Sequence, residues 1–321
     1  MLKNHPLVKR WIAENPETRK HVDEETLAEY VLPALTRQSN VPAHYQLDDI
    51  PQKSVSPEPD TSLTKELTSM IVIPDMQIPY VDYLALDAVE KYMQEHSFDW
   101  YVNIGDFIDV EALSHWNDGL PRKSEGKRLG KEFDIGNKIL DRHQDIIRKN
   151  NPKAKFHFIY GNHEERVEKF LDKNPGVEGL FDVADGLRFK ERGFTWTRNG
   201  DQGEQFSIGH ANFTHGLKAG MGHSRGMASE WDGNVFYGHV HDVQSHTLTS
   251  RGKSHNRIAQ SLGCLCVYDM PYMSKKPSRW QQAFAIFYFK KDGSFNHYVP
   301  LIINDEFISP EGKLYQGSIC G

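Results

Sequence analysis

Five short stretches of this chain place acids, amides and imidazoles where an apolar, strand-like run ends. They are Asp75 and Gln77 in VIPDMQIPY, Asp106 and Asp109 in NIGDFID, and Asn162, His163 and Glu164 in YGNHEE. His215 in FTHG and the pair His239 and His241 in FYGHVHD complete the set. Glycine stands beside most of them, and a glycine lets the backbone turn sharply enough to aim a side chain at a common centre. The chain carries 16 histidines, several next to glycine or asparagine, where they make poor core filler and good metal ligands. Mixed oxygen and imidazole donors suit Mn²⁺, Fe²⁺ or Zn²⁺ better than Ca²⁺, which takes oxygen alone. Taken singly, each stretch reads as an ordinary turn. The chemistry lies in the set.

The elements that must position these residues alternate in the first half of the body. MIVIP reads as a strand and VDYLALDAVEKYMQEH as a helix with apolar residues at helical spacing. DWYVNIG is a second strand, GKEFDIGNKILDRHQDIIRKN a longer helix and KFHFIYGN a third strand. This βαβαβ order predicts a parallel sheet, with ligands gathered outside the carboxyl ends of its strands. After about residue 200 six segments read as short strands: EQFSIGHANFTHG, NVFYGHV, VQSHTLTS, RIAQSLGCLCV, QAFAIFYF and FNHYVPLII. A turn signal at Lys291-Asp292-Gly293 makes this half hairpin-rich. A sheet from the first half is therefore expected to pack on a sheet from the second. Residues 1–50 read as a small helical N-terminal region and residues 51–66, proline-rich and polar, as a linker. The body is expected over residues 67–321.

Composition narrows the class of protein. The 321 residues are 38% hydrophobic and 26% charged, as in ordinary globular chains. No run approaches the roughly 20 apolar residues of a membrane span, and MLKNHPLVKRWIAENPE has no apolar segment of a signal peptide. Three cysteines, Cys264, Cys266 and Cys320, make a poor disulfide framework, so reduced core thiols and a cytoplasmic location are expected. A net charge of −6 gives no global reason to expect a nucleic-acid partner.

Together and in this order, the five stretches resemble the motifs of the calcineurin-like metallophosphoesterase superfamily, D-x-H, G-D-x-x-D, G-N-H-E, a later histidine and G-H-x-H, across residues 70–242. The resemblance implies a layered α/β-β/α sandwich of two mixed β-sheets flanked by helices, with a dinuclear metal site at the strand C-terminal ends. It implies two divalent ions bridged by Asp106, one ion taking Asp75, Gln77 and His241 and the other Asn162, His215 and His239. A water bridging the ions would supply hydroxide for in-line attack on phosphorus. His163 is the catalytic candidate, protonating the leaving oxygen or stabilising phosphoryl charge, with Asp109 behind its imidazole. Glu164 and Arg166 read as first-turn helix residues without a role.

Two departures from the family pattern bear on function. Gln77 stands where the family usually has histidine, so one ion should be held more weakly, with more tolerance for Mn²⁺. Val110 and Glu165 replace residues of the Ser/Thr protein phosphatases, and the chain looks more like prokaryotic and phage-type members, located in the host cytoplasm if phage-encoded. The expected activity is that of a metal-dependent phosphodiesterase, with Mn²⁺ first among the ions, acting on DNA, RNA or a nucleotide. The basic, aromatic-flanked stretches LPRKSEGKRLGK, SRGKSHNR and MSKKPSRW, with Trp116, are candidate backbone contacts. His223 and Arg225 are candidate phosphate contacts in a glycine-rich loop. The alternatives are a phosphomonoesterase on a small compound or phosphoprotein, and a non-catalytic interaction module on the same fold. Oligomeric state is not indicated.

Overall fold

In a computed structural model of the chain, which describes residues 55–114, 125–177, 179–198, 205–249, 257–270 and 279–318 together with a few isolated positions, the apolar run before Asp75 is strand β1, Leu67–Ile73. Ile71 and Ile73 face a core shared with helices, whereas Met70 and Val72 face a second core between sheets. A strand buried on both faces needs apolar residues at every position, which is why MIVI does not alternate.

Along the chain β1 is followed by α1 (Tyr83–Glu95), β2 (Trp100–Asn103), α2 (Leu129–Asn150) and β3 (Lys155–Ile159). Next come α3 (Glu165–Lys173), two single-turn helices α4 (Val183–Gly186) and α5 (Phe189–Arg192), and β4 (Phe194–Thr197). Strands β1 to β4 pair in parallel. The second half supplies β5 (Phe206–Ile208), β6 (Ala211–Thr214), α6 (His223–Glu230), β7 (Asn234–Tyr237), β8 (Ser245–Leu248) and β9 (Arg257–Ser261), in the sheet order β5-β6-β7-β9-β8. A short β10 (Gln282–Ala283) precedes β11 (Ala285–Lys290) and β12 (Phe295–Tyr298).

The division of the sheets differs from a simple split by halves. Strand β11 crosses back and lies antiparallel to β1, and β12 extends that edge, so the first sheet runs β12-β11-β1-β2-β3-β4. The β11–β12 hairpin turns where Lys291-Asp292-Gly293 predicts, with Gly293 at φ 86°. EQFSIGHANFTHG is two strands turning at Gly209 and His210, and QAFAIFYF is interrupted at Phe284. The residue pattern of neither segment reveals where pairing breaks.

The two mixed sheets pack face to face. Met70, Val72, Trp100, Val102 and Ile104 meet Phe206, Phe213, Phe236 and Phe287 in the core between them. Helices α1 and α2 cover the outer face of the first sheet, and Met227 and Ala228 of α6 cover part of the second. This is the α/β-β/α sandwich expected from the motifs. The chain divides into two compact units, Met1–Gln52 and Lys53–Gly321. The helical reading of residues 1–50 lies outside the described residues. Residues 55–66 hold no helix or strand but lie on the body: the Trp196 amide donates to Ser56 Oγ (2.7 Å) and Leu63 packs on the inter-sheet core.

Phe287 stands edge-on to Phe213 and Phe236, at centroid distances of 5.0 and 4.7 Å, at the junction of the two sheets. Phe287→Ala should cost about 3–5 kcal/mol, read as a lower urea midpoint at unchanged slope.

Candidate metal centre

The loops that follow β1 and β2 continue the pairing of their strands. Gln77 and Ile78 amides donate to the carbonyls of Asp106 and Phe107 (2.9 and 2.8 Å), and the Asp109 amide returns to Ile78 (2.9 Å). On its other side the Asp75 carbonyl accepts from Leu265 (2.9 Å). The acids are thus carried by zipped backbone rather than by free loop tips. Gln77, Asp106, His239 and His241 all have left-handed backbone, at φ 52°, 48°, 72° and 59°. Non-glycine residues rarely take this conformation, and four in one site indicate strain held by the surrounding structure. Gly161 and Gly238 are required for space: a Cβ on Gly161 would lie 2.1 Å from Asp106 Oδ1, and one on Gly238 would lie 2.2 Å from Asp75 Oδ2.

The seven candidate ligands, with His163 and Asp109, lie together in one largely buried centre. Asp75, Asp106 and His241 form one group whose donor atoms lie within 4.8 Å of one another, and Asp106, His215 and His239 form a second on the same criterion. Asp106 belongs to both. In the first group His241 Nε2 lies 3.3 Å from Asp75 Oδ1, and the His239 amide donates to the same oxygen (3.0 Å). In the second, His215 Nε2 lies 3.2 Å from Asp106 Oδ2, and Asn162 Oδ1 lies 3.1 Å from His215 Nε2 and 2.6 Å from His239 Nδ1. His215 Nδ1 donates to the Ile104 carbonyl (3.0 Å), which fixes the tautomer and leaves Nε2 for a ligand.

The donor set fits a pair of divalent cations. Two buried carboxylates, one shared, face imidazoles and an amide, and Asp75 Oδ2 has no hydrogen-bond partner among the described residues. Gln77 sits with the first group, its Nε2 3.2 Å from Asp106 Oδ2 and 3.4 Å from His241 Nε2. Coordination through Oε1 needs the amide to turn over. His163 stands at the edge: its Nδ1 donates to the Asp109 backbone carbonyl (2.9 Å) and lies 2.9 Å from Asp109 Oδ1, which itself accepts no hydrogen bond among the described residues. Its amide donates to Asp106 Oδ1 (2.9 Å), and its Nε2 is 3.7 Å from Asp106 Oδ2. Asp109 is fully buried.

The charges at the centre are strongly coupled. Burial works against Asp106 ionising, but His163 and His215 override it and hold the carboxyl well below its usual range. Burial also opposes charge on His215 and His241, yet Asp106 lifts the first to about 10 and Asp75 the second to about 9. His239, desolvated and beside His215, falls to about 4.

Three residues that carry the site were not legible as functional. Glu164 is fully buried and accepts four backbone amides: Asp106 (2.9 Å) and Gly161 (2.8 Å) on Oε2, Phe107 (2.9 Å) and Ile108 (3.0 Å) on Oε1. Burial and the charge of Asp106 push its pKa up to about 7, against the amides, which favour the ionised form. Glu132 of α2 accepts the Val110 amide (2.6 Å) and so holds a β-branched residue at φ 50°. Arg166 donates to the Asp109 carbonyl (2.6 Å) and to His163 Nε2 (3.0 Å). A Glu directly after Asn-His is the one sequence signal for the first of these. His223, by contrast, is a buried structural residue bonded to Tyr237 Oη (2.7 Å) and Asp242 (3.0 Å), not a phosphate contact. SRGKSHNR and MSKKPSRW lie largely outside the described residues, as does Trp116, whereas most of LPRKSEGKRLGK is described and its Lys127 pairs with Glu111 (2.7 Å).

Glu164→Gln keeps one acceptor and turns an amide NH₂ toward two backbone N–H groups, so it should destabilise the protein by roughly 2–5 kcal/mol in denaturant titration. A pH effect is expected as well. His215 and His241 have folded pKa values of about 10 and 9 against an ordinary 6.5, so the stability they contribute is complete below pH 6.5. It is lost as pH rises through 9 and 10. Chelator-treated protein should therefore lose thermal stability over that window, and added Mn²⁺, neutralising Asp75 and Asp106 in place of protons, should flatten the decline.

No protein-family model and no curated protein matches this sequence. Among solved structures, similarity is found to a single mutant of Vps29 from Entamoeba histolytica, at 14% identity over 78% of this chain and 98% of that one, with a TM-score of 0.38. The nuclease MPE of Pseudomonas putida is similar at 12% identity over 77% and 85% of the two chains, with a TM-score of 0.31. The purple acid phosphatase PPD1 from yellow lupin seeds is similar at 13% identity over 76% and 55%, with a TM-score of 0.30. In its two packed sheets and in the order of its candidate ligands along the chain, this protein resembles the calcineurin-like metallophosphoesterases.

Proposed function

We propose that the protein is a dinuclear-metal-dependent phosphoesterase that cleaves phosphodiesters of nucleic acid or nucleotides. The observation that carries this reading is the pair of ligand groups sharing Asp106, with a His163–Asp109 pair alongside. Asp75, Gln77, Asp106 and His241 would hold one ion, and Asp106, Asn162, His215 and His239 the other, with Mn²⁺ favoured by the amide and carboxylate donors. Bound there, the ions supply an activated water and neutralise charge on the phosphoryl group.

The chain's own residues then do three things. Asp109 fixes the His163 ring. Arg166, donating to His163 Nε2, keeps the ring proton on Nδ1 until a phosphoryl oxygen draws the guanidinium away. With Nε2 freed, His163 takes up a proton from solvent there, and that proton can stabilise or pass to the leaving oxygen. The Gln77 amide nitrogen, which faces Asp106 and His241, is the one observation favouring the alternative of an interaction module with an impaired first site.

The test is hydrolysis of bis-(p-nitrophenyl) phosphate and p-nitrophenyl phosphate by the full chain with Mn²⁺ or chelator, alongside metal content. Asp106→Asn should remove bound metal and turnover together. His163→Ala should keep both ions and lower turnover by ~10²–10⁴-fold. Monoester cleavage alone would move the assignment to a phosphomonoesterase. Two bound ions with no turnover of either ester would sink catalysis and leave the interaction module.

A further inference from the structure

Behind His241, on the side away from Asp75, lie two thiols that the proposed reaction does not use. Cys264 and Cys266 flank Leu265, and both thiols lie in one small apolar cluster while Leu265 enters the helix-side core. Both are fully buried and free. Their segment is held on both sides: the Leu265 amide bonds Asp75, Cys264 and Ala283 exchange bonds with Gln281 and Cys264 carbonyls (both 3.1 Å), and Gln282 Nε2 donates to the Cys266 carbonyl (3.1 Å). Trp280 closes over the His241 ring at 4.3 Å between centroids.

One donor atom from each of His241, Cys264 and Cys266 lies within 4.8 Å of the other two, and Cys266 Sγ is 3.8 Å from His241 Nδ1. A tetrahedral ion with metal–sulfur and metal–nitrogen bonds of about 2.3 and 2.0–2.1 Å would set such edges at about 3.6–3.8 Å. The opposite ring atom completes the pattern. His241 Nε2 lies 3.3 Å from Asp75 Oδ1, and a carboxylate on the far nitrogen is the arrangement that orients a metal-bound histidine.

We propose that Cys264, Cys266 and His241 Nδ1 form a third ion site, selective for thiophilic ions of the zinc and cadmium class, that competes with the first site of the dinuclear centre for His241. Binding there releases the two thiol protons to solvent and leaves two thiolates and Nδ1 as ligands. The ring proton then resides on Nε2, directed at Asp75. A His241 engaged on the sulfur side cannot offer the Nε2 lone pair to the first site. The Gln281 carbonyl, 3.8 Å from Cys264 Sγ, is a candidate fourth ligand. Mn²⁺, which prefers oxygen and nitrogen, would leave this site to softer ions.

This inference needs the ligand geometry but no catalysis, so its test does not use turnover. The reduced full chain, with Mn²⁺ in excess, is titrated with Cd²⁺ while the ultraviolet thiolate-to-cadmium charge-transfer absorption and the bound Mn²⁺ are followed. One equivalent of Cd²⁺ should raise the band and displace one Mn²⁺ ion. The chain has three cysteines, so the same band in Cys320→Ser would assign it to Cys264 and Cys266 even if core variants misfold. Cys264→Ser and Cys266→Ser should each abolish it and keep Mn²⁺ binding. A chain without the band, a band lost in Cys320→Ser, or Cd²⁺ uptake that leaves Mn²⁺ occupancy unchanged overturns the proposal.

Discussion

The Asp106 carboxylate, buried on a left-handed turn, is the constraint on which the rest of the site depends. Oδ1 accepts the His163 amide, Oδ2 faces His215 and Gln77, the backbone carbonyl accepts Gln77, and the backbone amide donates to Glu164. Three segments distant in sequence, at Gln77, His163–Glu164 and His215, are thereby referred to one residue. A buried charge this well surrounded cannot shift without leaving several polar groups unsatisfied, each at about 1–3 kcal/mol. Glu164 secures it from below, since one carboxylate spans the amides of two loops.

The backbone strain follows from the same need. A parallel strand delivers its last side chains perpendicular to the sheet, whereas ligands for a shared centre must point beyond the strand end. Left-handed residues in the loops just beyond the strands redirect the chain, and Gln77, Asp106, His239 and His241 make those turns. Such residues cost of order 1–3 kcal/mol apiece. The apolar layers on both faces of the first sheet offset this cost, with Ile71 and Ile73 on one side and Met70 and Val72 on the other. Rigid strands and zipped loops thus fix the donors before any ligand arrives.

What was legible in the sequence, and what was not, follows from the range of each signal. Periodicity and motif order are local, and they located β1, α1, β2, α2, β3 and all nine residues of the centre. The return of β11 to β1 is a pairing across more than two hundred residues, and no local pattern encodes it. Glu164 was visible as an acid at a helix start but not as a clamp, because its partners, Asp106 to Ile108, come from another loop. Arg166 and Glu132 were hidden for the same reason. His223 misled because glycine-rich surroundings suggested exposure, whereas Tyr237 and Asp242 enclose it.

The electrostatics separate the two kinds of histidine in the centre. Asp75 and Asp106 are buried, and an interior cannot hold two uncompensated charges. His215 and His241 balance them when protonated, and a metal cation can do so instead, which makes protons and cations rivals for the same carboxylates. His163 faces the same carboxylate from the edge of the centre and, with His215, holds the Asp106 carboxyl low. Its nearest carboxylate is Asp109, which belongs to neither ligand group, and its Nε2 is 3.7 Å from Asp106. The His163 ring thus bridges the two acids of one loop, with Asp106 inside both ligand groups and Asp109 outside them, so any change of charge in the centre reaches this imidazole through Asp106.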